Sequence, residues 1–301
     1  MAFDADAVLD RRRLKRRLNF WRGVGLFAVV AAVVFALGEF GVYPERAHVA
    51  RLTVEGIIVD DQDRLKAIER AAEDRSVKAI LVRVNSPGGT TTGGETLFIA
   101  LRRAAEAKPV VAVMGGLAAS AGYIVALAGD RVFARETTVT GSIGVLFQSV
   151  EVTRLLDNLG IQPLTIKSAP LKAVPSPLEP LDAAGRAMTQ VVVDDTFAWF
   201  VELVAARRGF SLDRARQLAD GRIFTGRQAL GEKLIDELGG ESEARAWLKG
   251  RDVPEALPIR DLRVRDPRVD LLDDLLGRAA KAVGLERLAL DGLVSLWNPA
   301  R

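Results

Sequence analysis

Residues 49–59 read VARLTVEGIIV, dense in β-branched side chains, and predict a strand. Over 63–74 the apolar positions Leu65, Ile68 and Ala72 recur at helical spacing. A short apolar run over 79–84 leads into Asn85-Ser86-Pro87-Gly88-Gly89, which predicts a tight turn with exposed backbone N–H groups. A helix follows over 95–107, then a β-rich run over 109–114, the pair Gly115-Gly116, a small-residue helix over 118–128 and a short strand over 131–134. Strands alternating with helices predict an α/β fold with a mostly parallel sheet. Such folds build sites outside the carboxyl ends of strands. Two Gly-rich strand ends, 85–89 and 115–122, are therefore the places to look.

Further along, 188–208 predicts a long helix whose apolar face is Val191, Val192, Phe197, Phe200, Val201 and Val204. Ser211 is placed to cap a short helix after it. Residues 251–268, rich in Arg, Asp and Pro, read as a linker, and 269–297 as one or two amphipathic helices.

The amino-terminal end has a different pattern. Residues 1–22 carry a net charge of +4, and 23–38 then run without a charge (GVGLFAVVAAVVFALG). Trp21 and Tyr43 flank this run as interfacial aromatics would. With Arg22 snorkelling and Glu39 at the far interface, 20–43 is long enough to span a bilayer. The expected division is a cytoplasmic basic arm over 1–22, an uncleaved transmembrane anchor over 23–43, a catalytic body over 44–250 and a helical tail over 251–301. Cleavage after Ala36 is the alternative. Cations before the anchor hold the amino terminus in the cytoplasm, so the body would face the periplasm or exterior.

The whole chain of 301 residues has a net charge of +3, but beyond residue 22 it carries −1, so the body lacks the positive field that nucleic acid requires. With no Cys and one His, a cysteine nucleophile, a thiolate metal site and any chemistry needing two histidines are excluded. His48 reads as a stem residue. Neither a nucleotide-binding Gly motif nor a metal-binding pattern is present, and no cofactor is expected.

Ser120 lies in Gly115-Gly116-Leu117-Ala118-Ala119-Ser120-Ala121-Gly122, where a strand turns into a helix. Two readings stand side by side. Small neighbours and free helix N–H groups suit a nucleophile, and a serine at a helix start also suits an ordinary N-cap. A nucleophilic serine needs a base, and a desolvated lysine can serve. Residues 164–177 (LTIKSAPLKAVPSP) hold Lys167 and Lys172 among apolar residues and prolines, and either is a candidate or a solvated loop cation. The turn at Gly88-Gly89 is half of an oxyanion hole, an anion nest or a plain turn.

Taken together, NSPGG at 85–89, AASAGY at 118–123, TGSIG at 140–144, IKSAPLKAVPSP at 166–177 and DGRIFTGRQALGEKLIDELGG at 220–240 resemble the signal peptide peptidase A family. These are membrane-bound Ser/Lys peptidases with the ClpP/crotonase fold. The resemblance covers about 50–249 and is to the short, single-domain members. It implies Ser120 as nucleophile, Lys172 as general base and Ser142 as the hydroxyl that orients the lysine. The backbone N–H groups of Gly89 and Ala121 would form the oxyanion hole, and Lys167 is left structural. It also implies a homo-octamer whose sites are shared between protomers, an inner-membrane location, and remnant signal peptides or other apolar extended peptides as substrates. Two departures stand out: Ala121 replaces the usual Gly after the nucleophile, and Ser168-Ala169-Pro170-Leu171 precedes the lysine in place of an aromatic and a Gly. The alternatives are a related membrane protease with other targets, or an acyl-CoA-binding or inactive scaffold with the same fold.

Overall fold

The computed structural model describes residues 5–39, 46–264 and 293–296. It divides into two compact units, 1–46 and 47–301. In the first, one helix, α1 (Ala5–Glu39), carries both the basic arm and the apolar run. The charge-free stretch between Arg22 and Glu39 is about 24 Å long as helix, against a hydrocarbon core of about 30 Å. No helix among the described residues is long and apolar enough to cross a membrane. The last residues of the expected anchor, 40–43, lie outside the described residues.

The second unit alternates strands and helices: β1 (His48–Ile58), α2 (Gln62–Glu73), β2 (Val77–Thr90), α3 (Thr91–Ala107), β3 (Val110–Ala119), α4 (Ala121–Ala126) and β4 (Arg131–Ala134). Then come β5 (Val139–Gly141), β6 (Leu146–Phe147), α5 (Thr153–Asn158), α6 (Ala183–Arg208), α7 (Leu212–Leu218), β7 (Ile223–Thr225) and α8 (Gly226–Gly231). The last are β8 (Glu237–Leu238), α9 (Glu241–Lys249), β9 (Ile259–Asp261) and β10 (Leu293–Leu296). Strands β9, β1, β2, β3, β4 and β8 pair side by side, all parallel. The expected parallel α/β fold is what forms.

Period-two alternation explains the layers. Ala50, Leu52, Val54, Ile80, Val82, Val84, Ala112 and Met114 face one side, where α2, α3, α4 and α6 cover them. Val49, Ala79, Leu81, Val111 and Val113 face the other, against Ala244 and Leu248 of α9.

Several boundaries differ from expectation. The turn expected at 85–89 lies inside β2, because β2 pairs with β1 and β3 on either side and a shift of register absorbs the irregularity. In α6 only the carboxyl-terminal part of the expected face is buried, at Phe200, Val201 and Val204, while Val191 is 66% exposed. The stretch expected as a linker carries β9, tied to β1 by Arg51–Asp261 at 2.6 Å. Residues 293–296, expected on a helix, pair antiparallel with β2 and β6. Residues 265–292 of the expected tail lie outside the described residues. Ser211 caps α7 as expected, accepting from the Arg214 N–H.

The carboxyl end of α4 is held by arginines. Arg207 donates to the carbonyls of Leu127 and Gly129, and Arg102 to the Ala128 carbonyl and the Asp130 carboxylate. Burial lowers the Arg207 pKa from its ordinary value. Tyr123, fully buried, donates to the Leu234 carbonyl at 2.7 Å. Burial raises its phenol above the ordinary value. Tyr123→Phe leaves a buried carbonyl without its donor and is expected to cost about 1–3 kcal/mol, read by urea denaturation. No change in the unfolding midpoint would mean that the bond contributes nothing net.

Candidate active site

Ser120 links β3 to α4, the strand-to-helix turn expected from its small neighbours. Its backbone lies at φ 57°, ψ −120°, a conformation rare for a residue with a Cβ. The residue is 1% exposed. Its side chain makes no capping hydrogen bond to α4, so the N-cap reading of the sequence falls away. The N–H groups that open a helix have no intrahelical acceptor, and that of Ala121 is the first of α4.

The surroundings follow from strand register. β3 and β5 run parallel with Leu117 beside Val139, Ala118 beside Thr140 and Ala119 beside Gly141. One step further lie Ser120 and Ser142. The Ser120 N–H donates to the Gly141 carbonyl at 2.9 Å, and Ser142 also has a positive φ, 49°. Ser142 is 9% exposed, and its N–H donates to the Arg222 carbonyl at 2.8 Å. Two threonines on one face of this stretch fasten it. Thr138 donates to the Gly115 carbonyl and Thr140 to that of Ala118, both at 2.7 Å. The alternation in TTVTGS carried that signal, but the sequence reading did not use these threonines.

Gly89 lies on the neighbouring strand, β2, and is buried there rather than exposed at a turn. Register pairs Ser86 of β2 with Ala118 of β3. Gly122 packs against the Ser86 carbonyl: a Cβ on Gly122 would lie 3.0 Å from that oxygen. Gly94, in the first turn of α3, approaches Ala121 as closely. Gly89, Ser120, Ala121 and Ser142 thus sit at the carboxyl ends of adjoining strands, where α/β folds place their sites.

The lysines divide. Lys167 is paired with Glu179, whose carboxyl it holds below the ordinary value, and reads as structural. Lys172 is exposed, on a turn where its N–H donates to the Ala169 carbonyl. No contact among the described residues brings it to Ser120. His48 is no exposed stem residue: it is 5% exposed and opens β1, its N–H donating to the Ser76 carbonyl. Among the described residues no group of three or more His, Cys, Asp or Glu could hold a metal ion.

Between the ends of β2 and β6 lies a strand-width slot. β10 occupies it, with Val294 opposite Thr90, Ser295 opposite Gly89 and Leu296 opposite Gly88 on one side, and Leu293 opposite Phe147 on the other. A cavity of about 440 Å³ adjoins β6, lined by Leu146, Phe147, Pro175, Leu181 and Val193 among others.

A buried serine at a strained strand-to-helix turn is an arrangement that suits a serine nucleophile. Comparison gives the family. The model of peptidase family S49 matches residues 102–252, and that of Clp protease matches 62–140. A Synechocystis protein named as a protease is 36% identical over 248 residues, covering 80% of this chain and 89% of that protein. An Enterococcus faecium protein named as a signal peptide peptidase is 34% identical over 67% of this chain and 62% of its own length. A chloroplast serine protease of Arabidopsis thaliana is 29% identical, with 81% of this chain covering 36% of that protein. The chain belongs to peptidase family S49 and has its ClpP-like α/β fold.

Two glycines test the geometry. A Cβ on Gly89 would lie 1.9 Å from the Ile58 carbonyl, so Gly89→Ala must move one strand and is expected to lower both the melting temperature and peptidase activity. On Gly116 it would meet nothing nearer than 3.8 Å, and Gly116→Ala should fold with wild-type stability. Equal melting temperatures for the two variants would refute the close approach at Gly89.

Proposed function

We propose that this protein is a membrane-anchored serine endopeptidase that degrades remnant signal peptides and other extended apolar peptides. Ser120 is the nucleophile and Lys172 of a neighbouring copy the general base. The observation that carries the reading is Ser120 itself: buried, at positive φ, at the start of α4 and one step beyond the β3–β5 pairing that brings Ser142 alongside. The slot between β2 and β6 takes Leu-Val-Ser-Leu of the chain's own β10 as an antiparallel strand. An extended apolar peptide would bind the same way, by main-chain hydrogen bonds with alternate side chains directed into the enzyme.

Neutral Lys172 accepts the Ser120 hydroxyl proton at Nζ as Oγ adds to the substrate carbonyl carbon. Ser142 orients the lysine. The N–H groups of Gly89 and Ala121 bind the oxyanion. The C–N bond breaks, the proton passes from Nζ to the leaving amine, and an acyl-enzyme remains. Water then adds to the acyl carbon, giving a proton to Lys172, and the Ser120–acyl bond breaks as that proton passes from Nζ to Oγ. No cofactor takes part.

Assembly supplies what one chain lacks. Lys172 is exposed in a segment whose apolar side chains are uncovered in one chain, among them Leu164 (89% exposed) and Ile166 (91%), with Val191 of α6. A ring of copies, an octamer on this reading, would bury these groups and desolvate the lysine. The basic arm and apolar half of α1 would hold the assembly on the inner membrane, with the body in the periplasm.

Full-length protein in detergent is the test, with an apolar signal-peptide substrate. Ser120→Ala and Lys172→Ala are expected to lose activity by at least 10³-fold, as removal of a nucleophile or base does, while Lys167→Ala retains it. Mixing the two inactive chains before assembly should restore cleavage, because some interfaces pair an intact Ser120 with an intact Lys172. A Ser120→Ala variant that cleaves normally overturns the reading.

A further inference from the structure

Ser86 is fully buried, and none of the chemistry above uses it. Its hydroxyl lies 2.6 Å from the Gly56 carbonyl and accepts the Gly88 N–H at 3.0 Å, while the Gly88 carbonyl stands further off at 3.2 Å. A hydroxyl has one proton, and the shortest contact, to Gly56, takes it. Ser86 therefore joins β1 to the end of β2 by one donated and one accepted bond.

Both partners sit at irregular backbone. Gly56 has φ 70° and marks the register shift between Glu55 and Ile57, and Gly88 has φ 117°. The β1–β2 register passes over Gly56 on one strand and Ser86-Pro87 on the other, and resumes at Gly88. The Gly88–Gly89 peptide leads directly to the Gly89 N–H. On its other side, the Ser86 backbone supports α4: its carbonyl packs against Gly122, and Ser86 itself pairs with Ala118. One buried residue thus touches the strand end that carries the Gly89 N–H and the helix start that carries the Ala121 N–H.

We propose that Ser86 is a positioning residue that sets the spacing of the two N–H groups of the oxyanion hole. Without its hydroxyl, the Gly56 carbonyl and the Gly88 N–H lose their shared partner, and the Gly88–Gly89 peptide loses a tie that sets its orientation. An oxyanion donor works only when preorganised at hydrogen-bond distance from the developing charge, so the loss falls on the transition state more than on substrate binding. The inference rests on the peptidase reading above.

The test combines active-site titration with steady-state kinetics on the full chain. A fluorophosphonate that labels Ser120 counts competent sites, and kcat is expressed per labelled site. Ser86→Ala is expected to lower kcat per site about 10- to 100-fold with KM changed less than threefold, and Ser86→Thr, which keeps a hydroxyl, to recover most of it. Ser86→Cys, nearly the same size with a weak donor, should fall between and covers the case in which the threonine methyl prevents folding. Ser211→Ala, which removes the α7 cap, should lower the melting temperature and leave kcat per site unchanged. If Ser86→Ala merely reduces the labelled fraction while each labelled site turns over at the wild-type rate, Ser86 is structural and the proposal fails. If Ser120→Ala is as active as wild type, the peptidase reading itself falls, and this inference with it.

Discussion

Ser120 is held at φ 57°, where its Cβ crowds the backbone, and its N–H is tied to the Gly141 carbonyl at 2.9 Å. Such a conformation costs about 1–3 kcal/mol and persists only where the surroundings over-determine it. Much of the second unit can be read as that over-determination. All six residues of α4 are buried, so the helix cannot slide to relax the turn. Arg102 and Arg207 fix its far end by capping carbonyls, and Tyr123 fixes its flank. On the strand side, Thr138 and Thr140 hold β5 against β3, which keeps the Gly141 carbonyl where Ser120 needs it. The nucleophile is aimed by a packed core rather than by a flexible loop, the arrangement that preorganised catalysis requires.

The same constraint explains the small residues around the serine. A Cβ on Gly122 would lie 3.0 Å from the Ser86 carbonyl oxygen, and one on Gly94, in the first turn of α3, 3.2 Å from the Ala121 Cβ. In the sequence this segment alone left an ordinary N-cap standing beside a nucleophile, and only the five motifs in their order and spacing singled out Ser120. The parallel sheet was legible too, because strands buried on both faces read as continuous apolar runs. What escaped depended on tertiary pairing. Pro87, Gly88 and Gly89 punctuate the sequence as a turn, but pairing of Gly88 and Gly89 with β1 and β10 carries the strand past them. β9 carries Arg and Asp rather than an apolar alternation, and it joins the sheet edge through backbone pairing and Arg51–Asp261. Ser86 escaped because a serine before Pro-Gly-Gly is unremarkable until its carbonyl partner, thirty residues upstream, is in view.

The two lysines separate on a different principle. From sequence both are cations in an apolar, proline-rich stretch. The fold gives Lys167 a carboxylate, Glu179, and gives Lys172 none among the described residues. An ion-paired lysine is stabilised as a cation and makes a poor base, whereas an uncommitted one can still be desolvated by whatever covers it. On the proposed reading the cover is another copy, and the same event completes the site and removes water from its base.

That coupling has a consequence for control. A peptidase whose base becomes competent only on assembly is inactive as a dispersed chain, and its activity follows protomer concentration by mass action. Holding α1 at a membrane confines the chains to two dimensions and raises their effective concentration without any new contact. On the proposed reading, the exposed apolar side chains at Leu164, Ile166 and Val191, a liability on an isolated chain, would drive the association that desolvates Lys172, so that folding prepares the nucleophile within one chain and assembly supplies its base.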